Sequence, residues 1–154
     1  MLAWPFAPLM LAYRAAYVEY TTVSPCGTGS CGRQQRAASC ADYVNFVAQA
    51  AAAKADIIVF PEYGITGFSS YAKSSWVSGG YVETIPVPSG RRVVPCDEPA
   101  TFSEAPSVVT LSCTAKEYGI AVVANLMDYT EHHMMYNTDI ALDTDGVLQY
   151  APRD

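Results

Sequence analysis

An α/β or layered α+β sheet is predicted by three stretches: a Tyr-, Val- and Thr-rich run over residues 13–23, an alanine-rich run over residues 48–53, and the apolar run IIVF over residues 57–60. Strand, helix and strand in this order give a parallel pair joined by a right-handed crossover. The first strand is expected over residues 13–23, with Ala15, Tyr17 and Glu19 on one face. Residues 24–39 carry glycines, a proline, Cys26 and Cys31, and read as a loop that a disulfide between these cysteines would staple. Ser39 and Asp42 have capping-box spacing, so a helix is expected to start at Ser39 and to place Tyr43, Val47, Ala50 and Lys54 on one face. The second strand is expected over residues 56–60. Its lack of polar alternation suits a strand covered on both faces.

Residues 69–103 hold many of the prolines and glycines and read as a long irregular connection, the kind that serves as a functional loop or lid. Tyr71, Trp76 and Tyr81 within it either contact a substrate or cover the core. A second helix is expected over residues 107–118, with Val108, Leu111, Ala115 and Tyr118 on one face and Gly119 placed to stop it. Residues 120–126 read as a third, largely apolar strand. Residues 136–143 alternate, and Asp145 and Gly146 form a turn into a strand over residues 147–150.

The composition narrows the function. A net charge of -6 with nine Lys and Arg argues against binding to a nucleic-acid backbone. No apolar run approaches the roughly 18 residues of a membrane span. Five cysteines with no CxxC pattern point to an oxidising compartment, hence a secreted or extracellular protein, with about 15 ways of drawing two disulfides and one free thiol. Residues 1–12 are a weak or truncated signal-like segment, lacking a basic start and broken by two prolines. Residues 13–150 form the domain, and residues 151–154 a divergent tail. His132 and His133 stand near Asp128 and Glu131, but adjacent strand residues point opposite ways, so no metal site is expected. Residues 128–135 read as a solvated hairpin or loop insertion.

The chemistry-bearing residue is Glu62. Pro61 ends sheet pairing, and Gly64 and Gly67 allow turn geometries that a Cβ would obstruct, so the strand delivers Glu62 to a fixed place. The blocks FPEYGITGF, VPC with EPATF, LSCTAKEYGIAVVANL and YNTDIALDTDGVL, in this order, resemble the amino-terminal half of the nitrilase, or carbon-nitrogen hydrolase, superfamily, and within it the biotinidase and pantetheinase (vanin) branch. The resemblance covers residues 13–148 and implies the amino-terminal half of a four-layer αββα sandwich. It also implies hydrolysis of small-molecule linear amides by a Glu, Lys, Cys triad, without a cofactor.

In such a triad the thiolate attacks the carbonyl, a carboxylate takes the thiol proton and later activates water, and the lysine stabilises the oxyanion. Glu62 matches the general base, the proton acceptor. Aligned from Gly146 the family's lysine position falls on Asp154, and aligned from Tyr150 it falls on Pro152; neither is a cation. The family's nucleophile lies further along, and Cys113 matches the LSC block instead. The expectation is a truncated amidohydrolase, inactive alone, or else a short secreted binding protein that self-associates through an uncovered sheet face. An active amidase using Cys40 or Cys113 is a third possibility. Asn125 either lines the Glu62 pocket or is a turn residue making local bonds. Tyr136 and Asn137 read as a strand start, its amide bonded to backbone.

Overall fold

The computed structural model describes residues 12–22, 31–67, 73–87, 90–130 and 132–150. Five strands form one sheet in the order β1 (Ala15–Tyr17), β2 (Ile57–Val59), β3 (Ala121–Tyr129), β4 (Met135–Leu142) and β5 (Leu148–Tyr150). The first three are parallel and the last two antiparallel. Helix α1 (Gly32–Ala52) connects β1 to β2, and α3 (Pro106–Tyr118) precedes β3, with the short α2 (Lys73–Ser78) between. The two long helices pack on each other and on one face of the sheet.

That packing is one-sided. The row Ala16, Ile58, Val122 and Leu142, aligned across four strands, faces the helices, where Ile58, Val122 and Leu142 are buried beside Tyr43, Val47, Val108 and Leu111. The next row, Tyr17, Val59, Val123 and Ala141, faces away; Tyr17 is 81% exposed and Val59 39%. The expectation of a second strand covered on both faces therefore fails among the described residues. An uninterrupted apolar run suits a strand with two covers; among the described residues the second face stays exposed at Tyr17 and Val59, whereas further along β3 the same face is covered at Asn125 and Met127.

Helix α1 corrects a second expectation. It begins at Gly32 with Cys31 as N-cap, so Ser39 lies inside the helix, buried, rather than at a capping box. The extra turns hide in the sequence because their inward face is polar: Gln35, Arg36 and Ser39 are all buried. The Gln35 amide donates to the Thr66 carbonyl, and the Arg36 Nε to the Gly80 carbonyl at 2.9 Å. Lys54 lies past the helix end, exposed, with φ of 61°. The proposed Cys26–Cys31 staple and residues 1–11 and 151–154 lie outside the described residues, although Cys31 is disulfide-bonded. Cys96 and Cys113 form a second disulfide, and Cys40 is a buried free thiol.

The remaining elements differ in extent. β1 is three residues, not eleven. The long connection is largely packed rather than lid-like: Trp76, Tyr81, Ile85, Val93, Val94 and Phe102 are buried, and Glu83 makes a parallel bridge to Asp128. Tyr71 lies outside the described residues. α3 ends as expected, with Gly119 left-handed at φ 62° and its N–H on the Ala115 carbonyl. β3 runs three residues beyond the expected end, because Met127, Asp128 and Tyr129 pair with Asn137, Tyr136 and Met135. Asp128 is thus buried, not solvated, and accepts the Ile85 N–H at 2.9 Å.

The Tyr43 ring stacks on Phe60 with centroids 3.7 Å apart. Its hydroxyl would lie 1.8 Å from a Cβ on Gly64, so the turn after β2 closes on the ring only because that residue is glycine. Gly64→Ala should cost about 1–3 kcal/mol in urea unfolding. The Tyr43 hydroxyl has no partner among the described residues. Tyr43→Phe alone should therefore change stability by under about 1 kcal/mol and should reduce the cost of Gly64→Ala when the two are combined.

Candidate functional site

Glu62 stands at the carboxyl end of β2, on the open side of the sheet. Pairing runs one residue past the strand, with the Phe60 N–H on the Val123 carbonyl at 3.0 Å, and stops at Pro61. The chain then turns: the Gly64 N–H reaches the Pro61 carbonyl at 3.3 Å and the Gly67 N–H the Tyr63 carbonyl at 2.6 Å. Tyr63, directly after the acid, has a left-handed φ of 56°, a conformation that L side chains disfavour and that persists where neighbours enforce it. Gly67 needs its glycine at φ 77°, with the Gln35 amide 2.1 Å from where a Cβ would sit.

Several elements pin this turn. The Thr22 hydroxyl donates to the Gly64 carbonyl at 3.0 Å, and the Met127 N–H donates to the Thr66 hydroxyl at 3.0 Å. The Asn125 Oδ1 accepts the Tyr63 N–H at 2.8 Å, and its Nδ2 donates to the Asn137 Oδ1 at 2.7 Å and the Asp139 Oδ1 at 2.8 Å. The Asn137 Nδ2 donates to the Glu62 Oε1 at 2.5 Å. Asn125 lies opposite Asp139 and diagonal to Asn137 in the β3–β4 register, so one amide reaches both. Beside this group, Trp76, Tyr81 and Met127 form a small buried cluster, with Tyr63 edge-on to Trp76 at 6.3 Å.

Of the two sequence-derived site residues, Glu62 is exposed and held by Asn137, and Asn125 is buried and holds the turn that carries Glu62. The expectation that Asn137 is a strand start with its amide on backbone fails in its second part, since that amide bonds the Asn125 and Glu62 side chains, and Asp139 is a site residue the sequence does not single out. Their signal was the alternation in YNTDIALD, which puts Asn137 and Asp139 on one face. No lysine joins Glu62 among the described side chains: Lys116 pairs with Asp97 at 2.7 Å, and Lys54 follows α1. Cys113 is closed in its disulfide with Cys96. The His133 Nδ1 lies 2.8 Å from the Tyr129 hydroxyl, and among the described residues no three His, Cys, Asp or Glu side chains gather as a metal site.

A separate cleft of about 940 Å³ lies on the helix side, between α1 and the start of α3, lined by residues including Arg33, Arg36, Cys40, Ser107 and Tyr129 but not by Glu62. At its floor Arg36 pairs with the buried Glu83, whose Oε1 and Oε2 also accept the Ser107 N–H at 3.0 and 3.2 Å. Burial pushes the Glu83 carboxyl above its ordinary range, while Arg36 and Ser107 pull it back. Burial likewise pushes the Cys40 thiol up to about 12, with Ser107 opposing.

A strand-end acid on a mixed sheet covered by helices on one face is the arrangement of a partial nitrilase-type fold. A solved carbon-nitrogen hydrolase from Helicobacter pylori G27 aligns with a TM-score of 0.57 at 14% identity, covering 92% of this chain and 39% of that one. The chain belongs to the carbon-nitrogen hydrolase family, whose sequence profile matches residues 15–153. Bos taurus pantetheinase is 36% identical over 105 residues, covering 61% of this chain and 20% of that protein. Takifugu rubripes biotinidase is 32% identical over 114 residues, covering 66% of this chain and 22% of that protein. The chain thus spans about a fifth of the length of these curated relatives.

Two outcomes are expected. At pH 8, iodoacetamide should label Cys40 in the native chain only as fast as the chain opens, because at a value near 12 about one thiol in ten thousand is ionised; peptide mass spectrometry reads the rate. An acid raised in the folded state binds its proton more readily folded than unfolded. The Glu83 contribution is therefore fully present below the ordinary value near 4.5 and is lost as pH rises through the raised value. Urea midpoints taken from pH 4 to 7 should show this loss in the native chain and not in Glu83→Gln.

Proposed function

We propose that these residues supply the base of an amidohydrolase acting on linear carbon-nitrogen amide bonds. Glu62 is the proton acceptor, and the lysine and nucleophilic cysteine of that chemistry are not among the residues present. The observation that carries this reading is an acid fixed at a strand end inside a family match running across nearly the whole domain. In this role Glu62 takes the proton of an attacking thiol and later activates water, which requires a carboxylate held in one orientation. The likeness to pantetheinase and biotinidase proposes small-molecule amides as substrates. The disulfide cysteines Cys31, Cys96 and Cys113 favour a secreted or extracellular setting. Among the described residues no helix is long and apolar enough to cross a membrane.

A second reading, a non-catalytic binding protein that self-associates, is favoured by one observation: the exposed Tyr17 and Val59 side by side on the open sheet face. Light scattering behind size exclusion separates the two readings, since self-association through this face should weaken at least about tenfold in Tyr17→Ser, and an unaltered monomer removes it.

The catalytic reading predicts that the purified 154-residue chain does not turn over pantetheine or biotinyl amides. It also predicts that a product joining this sequence to the lysine and cysteine segment of a family member loses at least about a thousandfold in kcat with Glu62→Gln. Turnover that survives Glu62→Gln would exclude Glu62 as the base.

A further inference from the structure

We infer that Asn125 and Asn137 form a two-amide relay that positions the Glu62 carboxylate and enforces the left-handed backbone of Tyr63. Its catalytic meaning rests on Glu62 being the base. Its geometry does not.

The direction of the relay is set by one group that cannot reverse. The Tyr63 backbone N–H is a donor only, so Asn125 must turn its Oδ1 toward it. The Asn125 Nδ2 is thereby aimed at β4, where two acceptors meet it, the Asn137 Oδ1 and the Asp139 Oδ1. With its oxygen engaged, Asn137 has only its Nδ2 left, and that donates to the Glu62 Oε1. Every amide orientation thus follows from the first, and the opposite flip at either residue would set donor against donor or oxygen against oxygen.

The relay does two things for the turn. At Tyr63 it supplies the bond that an otherwise unfavourable φ of 56° needs to persist. At Glu62 it occupies Oε1 with a donor and, among the described residues, leaves Oε2 as the acceptor without a partner, so that one defined proton-accepting atom faces the open side. Asp139 acts behind both. Its carboxylate takes the second Asn125 N–H and keeps that amide from rotating. The two asparagines are positioning residues, and Glu62 is the group that would touch the reacting atoms.

Substitution separates the two tasks. Asn125→Asp keeps an oxygen for the Tyr63 N–H but loses both donor bonds, whereas Asn137→Ala leaves Tyr63 bonded, leaves the Asn125 Nδ2 held by Asp139 alone, and frees Glu62. In the 15N- and 13C-labelled chain, Asn125→Asp should keep the Tyr63 amide protected from hydrogen exchange, and Asn125→Ala should raise its exchange by about tenfold or more. Both Asn137→Ala and Asn125→Asp should shift the Glu62 side-chain three-bond couplings from single-rotamer to averaged values. The amides of Leu126, Thr138 and Ile140 should stay within about threefold of the native rates, which a general loosening of the sheet would not allow. Should Asn125→Ala fail to fold, the other two variants carry the test.

Unchanged Glu62 couplings in both Asn137→Ala and Asn125→Asp overturn the relay, as does protection lost evenly along β3 and β4. None of these readouts involves hydrolysis. Turnover that survives Glu62→Gln removes the base and leaves the relay standing, whereas averaged couplings for Glu62 in the native chain remove the relay and leave the base.

Discussion

The buried pair of Arg36 and Glu83 is the constraint on which the arrangement of this layer depends. It joins three segments far apart in sequence: α1 through Arg36, the long connection through Glu83 and the Gly80 carbonyl, and the start of α3 through the Ser107 N–H. Taking both charges out of water costs several kcal/mol per ion, and their attraction offsets that only when further hydrogen bonds satisfy the remaining positions. Here the Ser107 N–H and the amino end of α3, where the helix dipole favours an anion, recover part of that cost, and burial still leaves the Glu83 carboxyl above its ordinary range. A well-packed apolar pair would stabilise as much. What the ionic pair adds is register, because an apolar substitute would tolerate α1 sliding by a turn against the connection and the bonded pair would not.

That register reaches the candidate base. Fixing α1 fixes Gln35 and Tyr43, one residue before Arg36 and two turns after it, and these meet the far and near ends of the turn after β2 at Thr66 and Gly64. From the other side β3 and β4 present Asn125, Met127 and Asn137. Glu62 is thus held between a helix layer beneath and a polar pair of strands alongside, an arrangement in which a side chain on a turn acquires the fixity of one on a strand.

Much of this was legible in the sequence where burial and chemistry agree. The apolar runs at residues 57–60 and 120–126 mark the central strands, Gly119 stops α3 where a left-handed residue is required, and Asp145 and Gly146 turn the last hairpin. The failures fall where polar residues are buried. Gln35 and Arg36 read as loop because their partners, Thr66 and Glu83, are remote in sequence, and the start of α1 was lost with them. Asp128 read as solvated for the same reason, its partner being the Ile85 amide. The relay at Glu62 needed the β3–β4 register, because only the pairing of Asn125 with Asp139 shows that one amide reaches two residues of the neighbouring strand.

Two requirements of a catalytic carboxylate are separated here. Orientation is provided by the described residues, with the entropic cost of fixing Glu62 met during folding by the amide bonded to it. Exclusion of water is not, because Glu62 is exposed and stands on the same open side as Tyr17 and Val59. A base in contact with bulk water gains little from orientation alone, since solvent competes for the free oxygen and screens every charge near it. Whatever covers the row of Tyr17, Val59, Val123 and Ala141 would therefore change the chemistry of Glu62 without touching the residues that aim it, so that the layer described here sets where the carboxylate points and the cover sets how strongly it acts.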